Sequence, residues 1–166
     1  MVGVTVNVSG QQVDHGSLVE AVRSALAESG ADPVGLTLEL TESVAMRQPE
    51  RLLDMLTELA TSGVTLAIDD FGTGYSSLSY LHRFPVDVLK IDKSFVDHLG
   101  EEPRDRQAET LVRTIVSIAR SLGQQTVAEG VETEAQRDAL LALGCDLGQG
   151  WLFGRPGPAV DIAPSR

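Results

Sequence analysis

Val64-Thr65-Leu66-Ala67-Ile68-Asp69-Asp70-Phe71-Gly72-Thr73-Gly74-Tyr75-Ser76-Ser77-Leu78 decides how this 166-residue chain is read. Its first five residues form an apolar run without turn formers, the pattern of a buried strand over Val64 to Ile68. Asp69 and Asp70 close that run. A glycine-rich turn follows, then a short amphipathic helix expected over Ser76 to His82. Buried acids are costly unless a cation or a hydrogen-bond donor compensates them. Two adjacent carboxylates at a strand tip therefore point to a metal ion.

Outward from this segment, strand and helix patterns alternate. Strands are expected at Val4 to Val8, Leu36 to Leu40, Val88 to Ile91, Thr126 to Ala128 and, shorter, Cys145 to Leu147. Helices are expected between them. Ser17 to Ser29 has Ser17 and Glu20 at capping-box spacing and Gly30 as its stop. Pro49 to Thr61 starts on proline, carries Leu52, Leu53, Leu56 and Leu59, and is followed by Gly63. Arg106 to Leu122 places Leu111, Val112, Ile115, Ile118, Ala119 and Leu122 on one face and stops at Gly123. Thr133 to Leu143 offers a capping box from Thr133 and Gln136 and ends at Gly144. Gly100 to Asp105 reads as a surface loop, and the tail after Pro156 as irregular. About six strands joined by helices predict right-handed crossovers and a parallel α/β sheet.

Bulk properties narrow the function. A hydrophobic content of 42% and a charged content of 22% suit one folded core. The formal net charge of −11 argues against a DNA or RNA polymer as partner, since few cations are in excess to neutralise phosphates. It leaves room for a small phosphate ligand bound through divalent cations. Cys145, the single cysteine, precludes an internal disulfide and a thiolate zinc site, and a reducing cytoplasm fits. The N-terminal residues show no signal peptide, and no apolar run approaches the roughly 20 residues that span a bilayer. A membrane tether outside this chain stays compatible with that pattern.

The polar residues fall on the strand ends. Asn7 sits at the end of the first strand and Glu39 at the end of the second, Asp69 and Asp70 close the third, and Lys90 and Asp92 the fourth. Glu129 and Glu132 follow the fifth, and Gln149 the sixth. Strand C-termini share one face of a parallel α/β sheet, the face that carries active sites in barrels. Hard oxygen donors suit Mg²⁺ or Mn²⁺ better than zinc. Two such ions are a recurring device for in-line attack on a phosphate ester, and one lysine among acids can neutralise charge or position a water. Taken singly, Asp92 or Glu132 reads more simply as a helix cap or turn residue. Six polar strand ends in succession favour a site. His15, His82 and His98 read as surface residues, Met46 and Met55 as core filler, and Trp151 and Phe153 as core packing.

Asn7-Val8-Ser9, Glu39-Leu40-Thr41-Glu42-Ser43, Asp69 to Leu78, Lys90-Ile91-Asp92, Ala128-Glu129-Gly130-Val131-Glu132-Thr133 and Gln149-Gly150-Trp151-Leu152-Phe153 together resemble the EAL domain, a family of bacterial cyclic di-GMP phosphodiesterases. The likeness runs from Val4 to about Pro156. It implies a TIM-like (β/α) barrel that opens cyclic di-GMP to linear pGpG with two Mg²⁺ or Mn²⁺ ions. By position, Asn7, Glu39 and Asp69 resemble the ligands of one metal. Asp69 and Asp70 resemble those of the second, with Glu129 beside it. Lys90 resembles the lysine that orients or deprotonates the attacking water. Asp92, Glu132 and Gln149 resemble supporting residues near metals and substrate. Glu42 resembles the acid that holds the loop from Phe71 through Gly72, Thr73 and Gly74 to Ser77, a loop tied in the family to metal binding and dimerisation.

The family's Glu-Ala-Leu triplet does not occur in this sequence. The expectation is an incomplete barrel over residues 1–156 with an irregular tail over 157–166. Two strands and their helices, ~80–90 residues of a roughly 250-residue barrel, are missing. That predicts exposed sheet edges, self-association or a homodimer, weakened binding of the first metal, and an upstream sensory or GGDEF-type domain in a longer parent. Two other functions are open to the sequence. One is a non-catalytic module that binds cyclic di-GMP or a protein; the other is an unrelated barrel enzyme with Lys90 as a Schiff-base lysine.

Overall fold

A computed structural model describes residues 3–74, 78–100 and 105–158. Six parallel strands form one sheet: β1 (Val4–Val8), β2 (Leu36–Thr41), β3 (Thr65–Phe71), β4 (Val88–Ile91), β5 (Gln125–Ala128) and β6 (Leu147–Gly148). Their spatial order follows their order in the chain. A doubly wound sheet reverses direction at a switch point, so strictly sequential order is the topology of a (β/α) barrel. The helices are α1 (Gly10–His15), α2 (Leu18–Ser29), α3 (Glu42–Ala45), α4 (Pro49–Thr61), α5 (Leu78–Leu81), α6 (Lys93–Val96), α7 (Arg106–Ser121) and α8 (Glu134–Leu143). The chain divides into two compact units. The first runs to Ile68 and takes up Gly74 and residues 78–87; the second comprises Asp69–Thr73 and the chain from Val88 onward.

In the first unit β1 pairs with β2 in parallel, with Asn7 opposite Glu39 in register. Leu38 and Leu40 of β2, Leu52, Leu56 and Leu59 of α4, and Leu66 and Ile68 of β3 are buried. Leu66, Ala67 and Ile68 are buried in succession, as in a strand covered on both faces. By contrast, Val4 and Val6 of β1 are exposed. In the second unit β4, β5 and β6 pair in parallel. Helix α7 starts on Asp105, whose carboxylate accepts from the Gln107 and Ala108 backbone N–H groups. It buries Ala108, Val112, Ile115, Val116 and Ala119. The expected stripe is thus rotated: Leu111 is 41% exposed, Val116 replaces it inside, and Ile118 and Leu122 are only half-buried.

Several local expectations are corrected. Ser17 does not cap α2; its backbone sits at φ −96°, ψ 1°, without a side-chain bond, whereas a cap needs extended geometry. The capping box forms one turn earlier, between Ser9 and Gln12, on α1, a helix the sequence pattern does not reveal. The short helices α3 and α6 were likewise not expected. Strand β3 continues through both acids to Phe71 rather than ending at Ile68. The last strand begins at Leu147, with Cys145 buried before it. The last helix of the expected set, α8, does carry the Thr133–Gln136 capping box. Met46 and Met55 are half-buried. Trp151 and Phe153 are 56% and 57% exposed, on a turn and not in the core. Residues 75–77 of the expected Ser76 to His82 helix, 101–104 of the polar loop, and the tail from 159 lie outside the described residues.

Acids at strand starts do structural work. The carboxylate of Asp87, just before β4, accepts from the Leu66 N–H at 2.9 Å. Asp146, just before β6, accepts from both the N–H and the hydroxyl of buried Thr126 at 2.8 Å. Those bonds, the backbone one foremost, hold the Asp146 carboxyl below the usual carboxylate range. A depressed folded-state pKa stabilises above the unfolded value and is lost as pH falls through the folded one. Asp146→Asn is therefore expected to cost about 1 kcal/mol at pH 7 after solvent screening, a Tm drop of about 3 °C. The gap between the two proteins should close as pH falls below the folded-state pKa. Parallel melts from pH 7 to acid check this; a constant gap sinks it.

Candidate active site

The site residues of the second unit gather around Lys90. This lysine lies on β4 between buried Leu89 and Ile91 and is 4% exposed. Its Nζ is 3.2 Å from Asp69 Oδ1 and 2.5 Å from Glu129 Oε1. A buried ammonium needs such partners. Paired with two carboxylates, Lys90 serves as a cation, which disfavours the neutral amine of a Schiff-base lysine.

The end of β3 is specialised. Asp69 Oδ1 also accepts from the Asp70 backbone N–H at 3.0 Å. Asp70 adopts φ 54°, the one left-handed non-glycine residue among the described residues. Aspartate tolerates that region better than most side chains, and such strain clusters at functional sites. Thr73 stabilises the turn by donating its hydroxyl to the Asp70 carbonyl at 2.8 Å. Phe71 is buried, and a side chain at Gly72 would meet Phe95 and Ile115 at 3.1 Å. Burial first, then the negative charges of Asp69 and Asp92, push the Asp70 carboxyl up. One carboxylate oxygen each from Asp69, Asp70 and Glu129 lie within 4.8 Å of one another. A divalent cation there would offset both the repulsion and the desolvation. The donor set is all oxygen, so the residues present fit Mg²⁺ or Mn²⁺.

Around this cluster, Asp92 caps α6, accepting from the Ser94 N–H at 3.1 Å and hydroxyl at 2.5 Å. The simple cap reading of Asp92 is thus realised, while its charge also reaches Asp70. Glu132 pairs with Lys93 Nζ at 2.5 Å. Its backbone N–H is held by buried Gln136 at 2.8 Å, so the cap of α8 also fixes this acid. Gln149 bridges the end of β5: its N–H donates to Ala128 at 2.8 Å, and its carbonyl accepts from Val131 at 3.0 Å.

In the first unit, Asn7 is exposed and Glu39 buried, as register partners on β1 and β2. Buried Glu42, the first residue of α3, sets its carboxylate beside Gly74, where an added Cβ would come within 2.8 Å of Oε1. Sequence reasoning missed Lys93 and Arg155. Their side chains lie 5.7 and 4.9 Å from the Trp151 ring centroid. Isolated cations in a polar stretch carry no periodic signal, and only the turn that turns Trp151 outward reveals them.

A family model for the EAL domain matches residues 1–156. The chain is 47% identical over 162 residues to the bifunctional diguanylate cyclase/cyclic di-GMP phosphodiesterase MucR of Pseudomonas aeruginosa, covering 98% of this chain and 23% of MucR. It is 43% identical over 159 residues to the cyclic di-GMP phosphodiesterase NbdA of the same organism, covering 96% and 20%. The chain thus spans about a fifth to a quarter of these relatives' length. It superposes on the MucR phosphodiesterase in complex with c-di-GMP with a TM-score of 0.89 at 47% identity, over 95% of this chain and 69% of that one. With BlrP1 of Klebsiella pneumoniae, solved with manganese and c-di-GMP, the TM-score is 0.82 at 33% identity, over 93% and 39%. Six sequential parallel strands, the acids gathered around Lys90 and the match over residues 1–156 have one reading: the chain belongs to the EAL domain family.

Proposed function

We propose that this chain is a cyclic di-GMP phosphodiesterase module that hydrolyses cyclic di-GMP to linear pGpG with two divalent ions, Mg²⁺ or Mn²⁺. The observation that carries the reading is the Asp69, Asp70 and Glu129 cluster closed around the ammonium of Lys90. Phosphodiesterase relatives and a neighbour solved with manganese and c-di-GMP support it. Asn7, Glu39 and Asp69 would hold one ion, and Asp69, Asp70 and Glu129 the other. Bound there, the ions supply an activated water and neutralise charge on the phosphoryl oxygens. Lys90, fixed by Asp69 and Glu129, orients the water. Its oxygen attacks phosphorus, the P–O3′ bond breaks, and the proton leaves with the 3′ oxygen. Asp92, Glu132 and Gln149 support substrate and metals, and Glu42 steadies the Phe71, Gly72, Thr73 and Gly74 loop.

The proposal places the module over residues 1–156, with 157–166 as a tail, in the bacterial cytoplasm. It acts as a homodimer or other self-associated form, under an upstream sensory or GGDEF-type domain where the parent is longer. Among the described residues, no helix is long and apolar enough to cross a membrane. The test is chromatography of cyclic di-GMP incubated with the chain in Mn²⁺ or Mg²⁺, with and without chelator. Formation of pGpG that stops on chelation is expected. Saturable binding of cyclic di-GMP without product in either ion replaces hydrolysis by a binding role.

A further inference from the structure

Lys93-Ser94-Phe95-Val96 follows Asp92 and forms α6, a helix of four residues. So short a helix does not persist without outside support. Its support is the Asp92 cap and its packing: Val96 is buried and Phe95 half-buried. Two of its side chains lie on glycines next to the acids of the site. Phe95 lies against Gly72, where an added Cβ would stand 3.1 Å from the ring and 3.1 Å from Cδ1 of Ile115 on α7. The stem of Lys93 lies on Gly130, where an added Cβ would fall inside its van der Waals radii. Gly72 comes two residues after Asp70, and Gly130 directly after Glu129. We infer that α6 sets the spacing between the Asp70 and Glu129 carboxylates, with Phe95 as the positioning residue on the Asp70 side. The inference rests on the reading of Asp69, Asp70 and Glu129 as holders of a divalent ion.

Asp70, at φ 54°, sits in a backbone region that is costly for a residue with a Cβ. Such a conformation persists only where the surroundings over-determine it. Two bonds hold it locally: Asp69 Oδ1 accepts from the Asp70 N–H, and the Thr73 hydroxyl donates to the Asp70 carbonyl. Both partners belong to the same turn and move with it. Phe95 and Ile115 do not, and they close one side of Gly72 against the rest of its unit. Gly72, at φ 97°, brings bare backbone to the ring. The ring is in turn tied to an acid that acts on Asp70. The Phe95 N–H donates to the Asp92 carbonyl at 3.1 Å, and the Asp92 charge bears on the Asp70 carboxyl.

On the other side, Lys93 is held across Gly130 by two acids, Glu132 at 2.5 Å and Asp97 at 3.7 Å from Nζ. Gly130, at φ 69°, again brings bare backbone to the contact. One short helix thus bears on both segments that carry the carboxylates. A fixed spacing matters most to a small ion. Mg²⁺ demands near-ideal octahedral geometry at about 2.0–2.1 Å, whereas Ca²⁺ accepts flexible geometry at about 2.3–2.6 Å. Loosening α6 therefore weakens Mg²⁺ more than Ca²⁺, a signature that loss of ordinary packing does not give.

The experiment titrates the chain and three variants with Mg²⁺ and with Ca²⁺ by calorimetry, at a temperature where all are folded. Phe95→Ala removes the ring. Ile115→Val is the milder variant and removes only the Cδ1 that faces Gly72. Val116→Ala is the packing control, since Val116 is buried on the same helix but lies towards Gly144. Phe95→Ala should weaken Mg²⁺ binding about tenfold or more, the usual scale for losing a group that orients a metal ligand. Ca²⁺ binding should weaken by a smaller factor, so the ratio of the two affinities drops. Ile115→Val should lower that ratio too, by less. Val116→Ala should lower the melting temperature and leave the ratio at the parental value. A parental ratio in both Phe95→Ala and Ile115→Val overturns the inference, as does an equal drop in Val116→Ala; ion binding by the parent then stands. A parent that binds neither ion at millimolar concentration overturns the ion-site reading and this inference with it.

Discussion

Lys90→Met is expected to separate metal loading from hydrolysis. Product formation should fall at least about a hundredfold, the usual scale for losing a group that positions or protonates at the reacting centre. Without metal, the variant should also be less stable, because the ammonium is the close cation between Asp69 and Glu129. Breaking a buried pair costs about 3–5 kcal/mol. Both carboxylates here keep some solvent, at 14% and 22% exposure, so about 2 kcal/mol is the better expectation, a Tm drop of about 4–8 °C. The response to metal should run the other way. Lys90 and a divalent ion compete for the same carboxylates, so removing the lysine should tighten ion binding. A tenfold tighter site adds about 1.4 kcal/mol of stabilisation at saturating ion. Melts with and without Mn²⁺, beside product formation, check this. A variant whose activity returns at saturating Mn²⁺ would show Lys90 to be structural only.

What the sequence made legible follows from what is local. The Thr133–Gln136 cap of α8 and the Gly30 and Gly144 stops need only a few neighbouring residues, and all three form. Ser17 shows where such signals fail: its spacing fits a capping box, but α1 ends immediately before it at Gly16, and the backbone cannot reach extended geometry. The short helices α1, α3 and α6 bury one or two residues each, too few for a periodic pattern. Strand β3 runs on through Asp69 and Asp70, against their low strand propensity, because it lies between β2 and β4 in the sheet. The acids of the site stood out because topology puts strand C-termini on one face. Asp87 and Asp146 show the limit of that signal, since acids at strand starts clamp backbone instead. Trp151 was misread because alternation with Phe153 imitates a strand. The turn is set by a backbone crossing at Gly150, which no side-chain pattern encodes.

That crossing predicts the largest stability effect outside the carboxylate cluster. A Cβ on Gly150 would fall inside the van der Waals radii of the Val131 N, C and O atoms. No flexible side chain is there to yield, so Gly150→Ala must push two backbone segments apart. Displacing them stretches the bonds from the Val131 N–H to the Gln149 carbonyl and from the Leu152 N–H to the Val131 carbonyl, both 3.0 Å. Overpacking costs about 1–3 kcal/mol, occasionally more, and each weakened bond adds about 1 kcal/mol. About 3 kcal/mol or more is expected, a Tm drop of about 6–12 °C. Gly154→Ala is the matched control: nothing lies within 4 Å of its added Cβ, and its stability should stay within about 0.5 kcal/mol of the parent. Because the turn carries Gln149, which the proposed function sets near the substrate, Gly150→Ala should also weaken cyclic di-GMP binding at temperatures where the protein stays folded. A Gly150→Ala melt within 1–2 °C of the Gly154→Ala melt, roughly the noise of such a comparison, would mean that the crossing relaxes freely and the turn is not held as described.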